Sequence, residues 1–146
     1  MTYRPYAAIS SLVDSSRVRS YLLNNSGLTI QKHAPVRLST SGDLSVIDVS
    51  LDAHALGVVG IASDVINNGD YGYAITHGKV EDVSSFNFGD FIYVSKTGGL
   101  TNILPSEGVG GFTSGDWVIK VGVIGKNKDN PLLMDLFINF QIIGQL

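Results

Sequence analysis

The chain contains no cysteine. That one absence removes disulfides, thiolate metal sites and cysteine nucleophiles together. Charge is also scarce: 16% of the residues are charged and 44% are apolar, whereas about 25% charge is usual for a soluble domain. Mean hydropathy is +0.20. A body this small has little charge with which to cover its surface, so some apolar surface is expected to be buried against a partner. A net charge of −3 argues against general electrostatic binding of nucleic acid. No apolar run approaches the ~18 residues of a membrane span. The opening M-T-Y-R-P-Y-A-A-I-S-S-L-V-D sets Arg4, Pro5 and Asp14 where a secretion signal needs an uninterrupted apolar stretch. The protein is therefore expected to be made and used without that route. No window carries a sustained helical stripe.

What the sequence does hold is strand signal. Runs rich in Val, Ile, Thr, Tyr and Phe alternate with N-N-S-G, S-T-S-G-D, N-N-G-D, K-T-G-G, T-S-G-D and N-K-D-N-P, each able to close a turn. Strands are predicted at Ser20–Leu23, Thr29–Ile30, Val36–Ser39, Leu44–Val49, Ala55–Ala62, Tyr71–Thr76, Lys79–Val83, Phe91–Ser95, Leu100–Ile103, Trp117–Gly125 and Leu132–Ile143. The best helix candidate is Ser63–Asn67. The 17 glycines suit tight turns and barrel corners. The fold class expected is all-β: a small β-barrel or β-sandwich of about eight or more strands.

The chain writes one hairpin twice. Ser39, Gly42, Leu44 and Ser45 recur 56 positions later as Ser95, Gly98, Leu100 and Thr101. G-V-V-G at 57–60 then matches G-V-I-G at 122–125 at an offset of 65, which implies nine extra residues in the second intervening loop. Each copy closes with a turn and another strand, giving pseudo-repeats at about 35–83 and 90–143. Residues 1–20 differ from the rest. They carry Arg4, Arg17 and Arg19 against Asp14 and five serines, while residues 21–146 hold 7 basic and 12 acidic side chains. Residues 1–20 read as an N-terminal arm on a single β domain at 21–146, or as a frayed terminus.

Chemistry-bearing patterns are few. His33, His54 and His77 lack metal-ligand spacing. Glu81-Asp82 is the one adjacent acidic pair, and on a strand its members face opposite ways. Asp43, Asp70, Asp90 and Asp116 each follow Gly, where Asp is a turn residue first. G-V-G-G-F at 108–112 lacks the Lys-Ser/Thr and following helix of a phosphate loop. No enzyme activity, cofactor or metal is expected. The C-terminal L-F-I-N-F-Q-I-I-G-Q-L carries no charge. It fits a central barrel strand or one packed between subunits. Arg4, Tyr6, Arg17 and Arg19 in the arm, with Phe137 and Phe140 in the last strand, are the candidate partner-binding residues.

N-N-S-G-L-T-I-Q-K-H-A-P-V-R-L, A-L-G-V-V-G-I-A-S-D-V-I-N-N-G-D-Y-G-Y-A-I-T-H-G-K-V, F-N-F-G-D-F-I-Y-V-S-K-T-G-G-L-T and V-I-K-V-G-V-I-G together resemble small structural proteins of tailed bacteriophages: capsid decoration (cement) proteins and modules of head or tail fibres. The resemblance covers about residues 22–126. It implies a non-enzymatic virion protein on the capsid surface, made in the host bacterial cytoplasm. It also implies a homo-oligomer, commonly a trimer, with the major capsid protein as partner and no nucleic acid, membrane or small-molecule substrate. The alternative is a receptor- or glycan-binding fibre module using Tyr71, Tyr73, Phe86, Phe88 and Phe112.

Overall fold

The computed structural model describes residues 17–146, with side chains from Val18 onward. Arg4 and Tyr6 lie outside the described residues. The chain is almost entirely β. Among the described residues the strands are β1 (Arg17–Leu23), β2 (Pro35–Leu38), β3 (Leu44–Val46), β4 (Val58–Ala62), β5 (Tyr71–Val80), β6 (Phe91–Val94), β7 (Leu100–Thr101), β8 (Trp117–Lys126) and β9 (Met134–Gln145), with one short helix, α1 (Asp52–Leu56). These strands pair antiparallel with one another, in the order β3-β2-β4-β5-β9-β8-β6-β7, and β1 is added to β5. The sheet curls into half a barrel.

Strand order and hydrogen bonding recur along the chain, with a definite register. The order reads as two blocks, 3-2-4-5 and 9-8-6-7, placed back to back across the β5–β9 seam. Hairpin hydrogen bonds repeat at the 56-residue offset. Ser39 N–H donates to Asp43 O and Gly42 N–H to Ser39 O; Ser95 N–H donates to Gly99 O and Gly98 N–H to Ser95 O. The following strand repeats at 62 rather than 65. Val36 pairs with Gly60 and Ile92 with Gly122, and both ladders slip directly after these pairs. The second unit therefore carries six extra residues, not nine. The G-V-V-G and G-V-I-G letters align three residues away from the structural match. The physical reason is a close approach: a Cβ on Gly60 would lie 2.5 Å from Ile75 O, and one on Gly122 would lie closer still to Phe137 O. Ile75 and Phe137 are themselves 62 apart. Gly125, which the letters matched to Gly60, instead sits under the Phe137 ring.

Other expectations shift for local reasons. Arg17–Ser20, assigned to the arm, are strand, because β1 covers the edge of β5 from Arg17↔Gly78 to Leu23↔Tyr71. Tyr71–Val80 is one strand rather than two; Gly78, with φ 91°, stays within it. Ser63–Asn67 is not helical: Ile66 forms an antiparallel bridge with Ile30, which is all that remains of the strand predicted there. The helix forms earlier, at Asp52–Leu56, where Asp52 favours the first turn and Gly57 ends it.

Ile61, Ile75, Ile92, Ile119, Ile124 and Leu136 join residues of both units in one buried cluster. Each such side chain contributes about 1.5–3 kcal/mol on burial. A second cluster, Ile30, Val36, Leu44, Ala62, Ile66 and Ala74, belongs to the first unit alone. Neighbouring residues alternate between them: Ile61 and Ile75 face one cluster, Ala62 and Ala74 the other.

Candidate interaction surface

The register of β1 on β5 sets Tyr21 opposite Tyr73 and Leu23 opposite Tyr71. The three tyrosines meet as a slab, with centroids 5.4 Å apart for Tyr21–Tyr71 and 4.7 Å for Tyr21–Tyr73. The Arg19 guanidinium lies over the Tyr73 ring at 4.1 Å, a cation–π contact. Tyr21 and Tyr71 are each 57% exposed and Tyr73 37%. Cross-strand aromatic contacts of this kind hold β1 on the sheet by a fraction of a kcal/mol each. The same rings form an outward, rigid aromatic surface with a basic group, and tyrosine with arginine is the residue chemistry enriched at binding hot spots.

Of the candidate residues, Arg19 is in this patch and Arg17 begins the strand that carries it. Phe137 and Phe140 have different surroundings. Phe137 is partly exposed and its ring packs over Gly125, while Phe140 is half-buried against the main core. The fibre-type aromatics also divide. Phe112 is buried and Phe86 is packed against the core, so neither is free to stack on a ligand. Phe88 is exposed, with Lys126 Nζ 5.6 Å from its ring. Sequence reasoning missed Tyr21, because its partners are 50 and 52 residues away in the chain and only the β1–β5 register joins them.

A groove runs where the two units meet. Two cavities of about 220 and 460 Å³ share Gln31, Ala34 and Gly99 on their walls, with Lys32, His33, Ser84 and Phe86 around the smaller and Leu28, Val46 and Thr97 around the larger. His33 holds φ 66°. The repeat explains it: at the equivalent place stands Gly89, φ 85°. The bonds also match. His33 N–H donates to Ala62 O and Ala62 N–H to Ala34 O, as Gly89 N–H donates to Ile124 O and Ile124 N–H to Asp90 O. The strained backbone here belongs to the scaffold. Burial, then the charge of Lys32, lowers the His33 pKa against the pull of Asp82 and Asp64.

Three polar ties lock loops to the body. Lys96 Nζ meets Asp116 Oδ2 at 2.7 Å, and the Thr113 amide donates to the same oxygen at 2.8 Å. Burial opposes ionisation of Asp116, but these hydrogen bonds and the Lys96 charge overcome it and hold the carboxyl below its ordinary value. Trp117 Nε1 donates to Asp52 at 2.8 Å, fastening α1 to β8. The wholly buried Asp135 carboxylate takes Lys79 Nζ at 3.5 Å and the Asn127 amide at 3.2 Å. Lys96 belongs to the repeated turn, so its charge serves the packing of the 113–116 loop. Among the described residues, no group of three or more His, Asp or Glu side chains stands close enough to hold a metal ion.

No known protein family, curated protein or solved structure matches this chain.

Proposed function

We propose that this protein is a structural, non-enzymatic virion protein that decorates a bacteriophage capsid and stabilises it by binding major capsid protein subunits. The observation that carries the reading is the exposed Tyr21–Tyr71–Tyr73 slab with Arg19, whose Arg19 and Tyr21 stand on the strand into which residues 1–16 lead. A rigid aromatic anchor loses little entropy on binding, and an adjoining chain segment can extend the contact across a neighbour. The sequence resemblance to decoration proteins and the low charge of the chain support the same reading. The test is co-sedimentation with phage capsids lacking decoration. The full chain is expected to pellet with them, a chain without residues 1–16 to pellet less, and Tyr73→Ser with Arg19→Ser to weaken occupancy about tenfold or more. Equal occupancy by all three would end the proposal.

A second reading, a receptor- or glycan-binding fibre module, is favoured by the exposure of Tyr71 and Tyr73, whose ring faces could stack on a sugar. Glycan binding by the isolated protein, lost in Tyr71→Ala, would select it over the first.

A further inference from the structure

β9 leaves the sheet's seam before it ends. Lys79↔Phe137 and Val80↔Leu136 are its pairs with β5. Beyond Phe137, β9 continues to Gln145 on β8 alone, and among the described residues no strand pairs with its outer edge. Two register slips explain the departure. Val118 pairs with Gly144 and Ile119 with Ile142; Lys120 pairs with Gln141 and Gly122 with Ile138. β9 carries the extra residue each time, Ile143 at the first slip and one of Asn139–Phe140 at the second. Bulges bend a strand, and these turn β9 away from β5, whose vacated edge β1 covers.

The edge so exposed has an unusual composition. Ile142 and Ile143 are 44% and 58% exposed, Asn139, Gln141 and Gln145 are also exposed, and no charge stands from Leu136 to Leu146. Natural edges are commonly guarded by lysine or proline, and this one has neither. We infer that this edge of β9 is a self-association surface, and that its partner is the same edge of a second copy of this chain, antiparallel across a two-fold axis.

Three observations select that occupant. First, β9 and β5 are repeat-equivalent strands, and they already pair edge to edge within the molecule; a second β9 extends the seam with the same kind of strand. Second, an antiparallel contact across a two-fold axis sets the residue on the axis against its own copy and its neighbours reciprocally close by, so charge near the axis is penalised, and charge is what this edge lacks. Third, carboxamides both donate and accept, so with Gln141 on the axis its side chain can satisfy its own copy. The bulges split the ladder beyond Ile138 into two short stretches, Gln141–Ile142 and Gly144–Gln145, which favours a closed dimer over an open-ended stack. The inference goes beyond the capsid reading and is tested with no capsid present.

The experiment uses the full chain. Sedimentation is expected to give a dimer, and Gln141→Lys with Ile143→Lys to raise its dissociation constant about tenfold or more, since like charges would face each other. Both sites are exposed, and an unchanged far-ultraviolet spectrum checks that the fold survives. With no native cysteine, Gln141→Cys is expected to form a disulfide dimer on mild oxidation, while Glu107→Cys, at an exposed loop site, is not. A monomer, a trimer, or a dimer indifferent to the lysines would each overturn the inference.

Discussion

Residue by residue, this fold depends on where a side chain cannot be. Gly60 and Gly122 lie against the backbone of the next strand in their own unit. Gly122→Ala is expected to cost about 3 kcal/mol or to prevent folding, as forced overpacking does, and denaturant titration will show it. Gly42 and Gly98 hold the same turn position with φ 82° and 86°. A Cβ on Gly42 meets nothing, whereas one on Gly98 would lie 3.0 Å from Ile47 O, so Gly98→Ala is expected to lose more stability than Gly42→Ala in the same titration. At position 33, where the second unit has Gly89, His33→Gly is expected to retain more stability than His33→Val, because a β-branched residue is a poor fit at positive φ. The opposite order would contradict the repeat-based account of that backbone.

At the level of elements, the ties between loops and sheet carry the testable energetics. Lys96→Met would leave Asp116 buried without its counter-charge and is expected to destabilise by about 2 kcal/mol in denaturant titration. His54 Nδ1 accepts the Asp48 amide N–H at 2.9 Å, holding α1 to the segment after β3. Burial and then Arg37 lower the His54 pKa from 6.5, and burial and then Lys32 lower that of His33. In both, the unfolded chain binds the proton more readily than the folded one. Their contribution to stability is present above 6.5 and is lost as pH falls from there through the folded values. The melting temperature is expected to drop between about pH 7.5 and about pH 5, and His54→Gln to flatten part of that slope. Element types were largely legible in the sequence because turn residues punctuate apolar runs. The helix at Asp52–Leu56 was not, since five residues are too few to show a helical period.

For the whole molecule, the sequence by itself determined the all-β class and the matching turns at 39–45 and 95–101. Local physics sets these: alternation decides which face of a strand is buried, and Gly at positive φ decides where the chain turns. It also set residues 1–20 apart as a basic, serine-rich segment; removal of residues 1–16 is expected to leave the melting temperature within a few degrees because β1 begins at Arg17. Tertiary structure decided the rest. The matching of Gly60 with Gly122 depends on how near β5 and β9 pass, and letters alone favour a slip of three. The tyrosine slab depends on a register between strands about fifty residues apart. The open edge of β9 depends on two bulges that bend it from β5, and a bulge arises from the mismatch between two ladders, which neither strand's sequence contains alone.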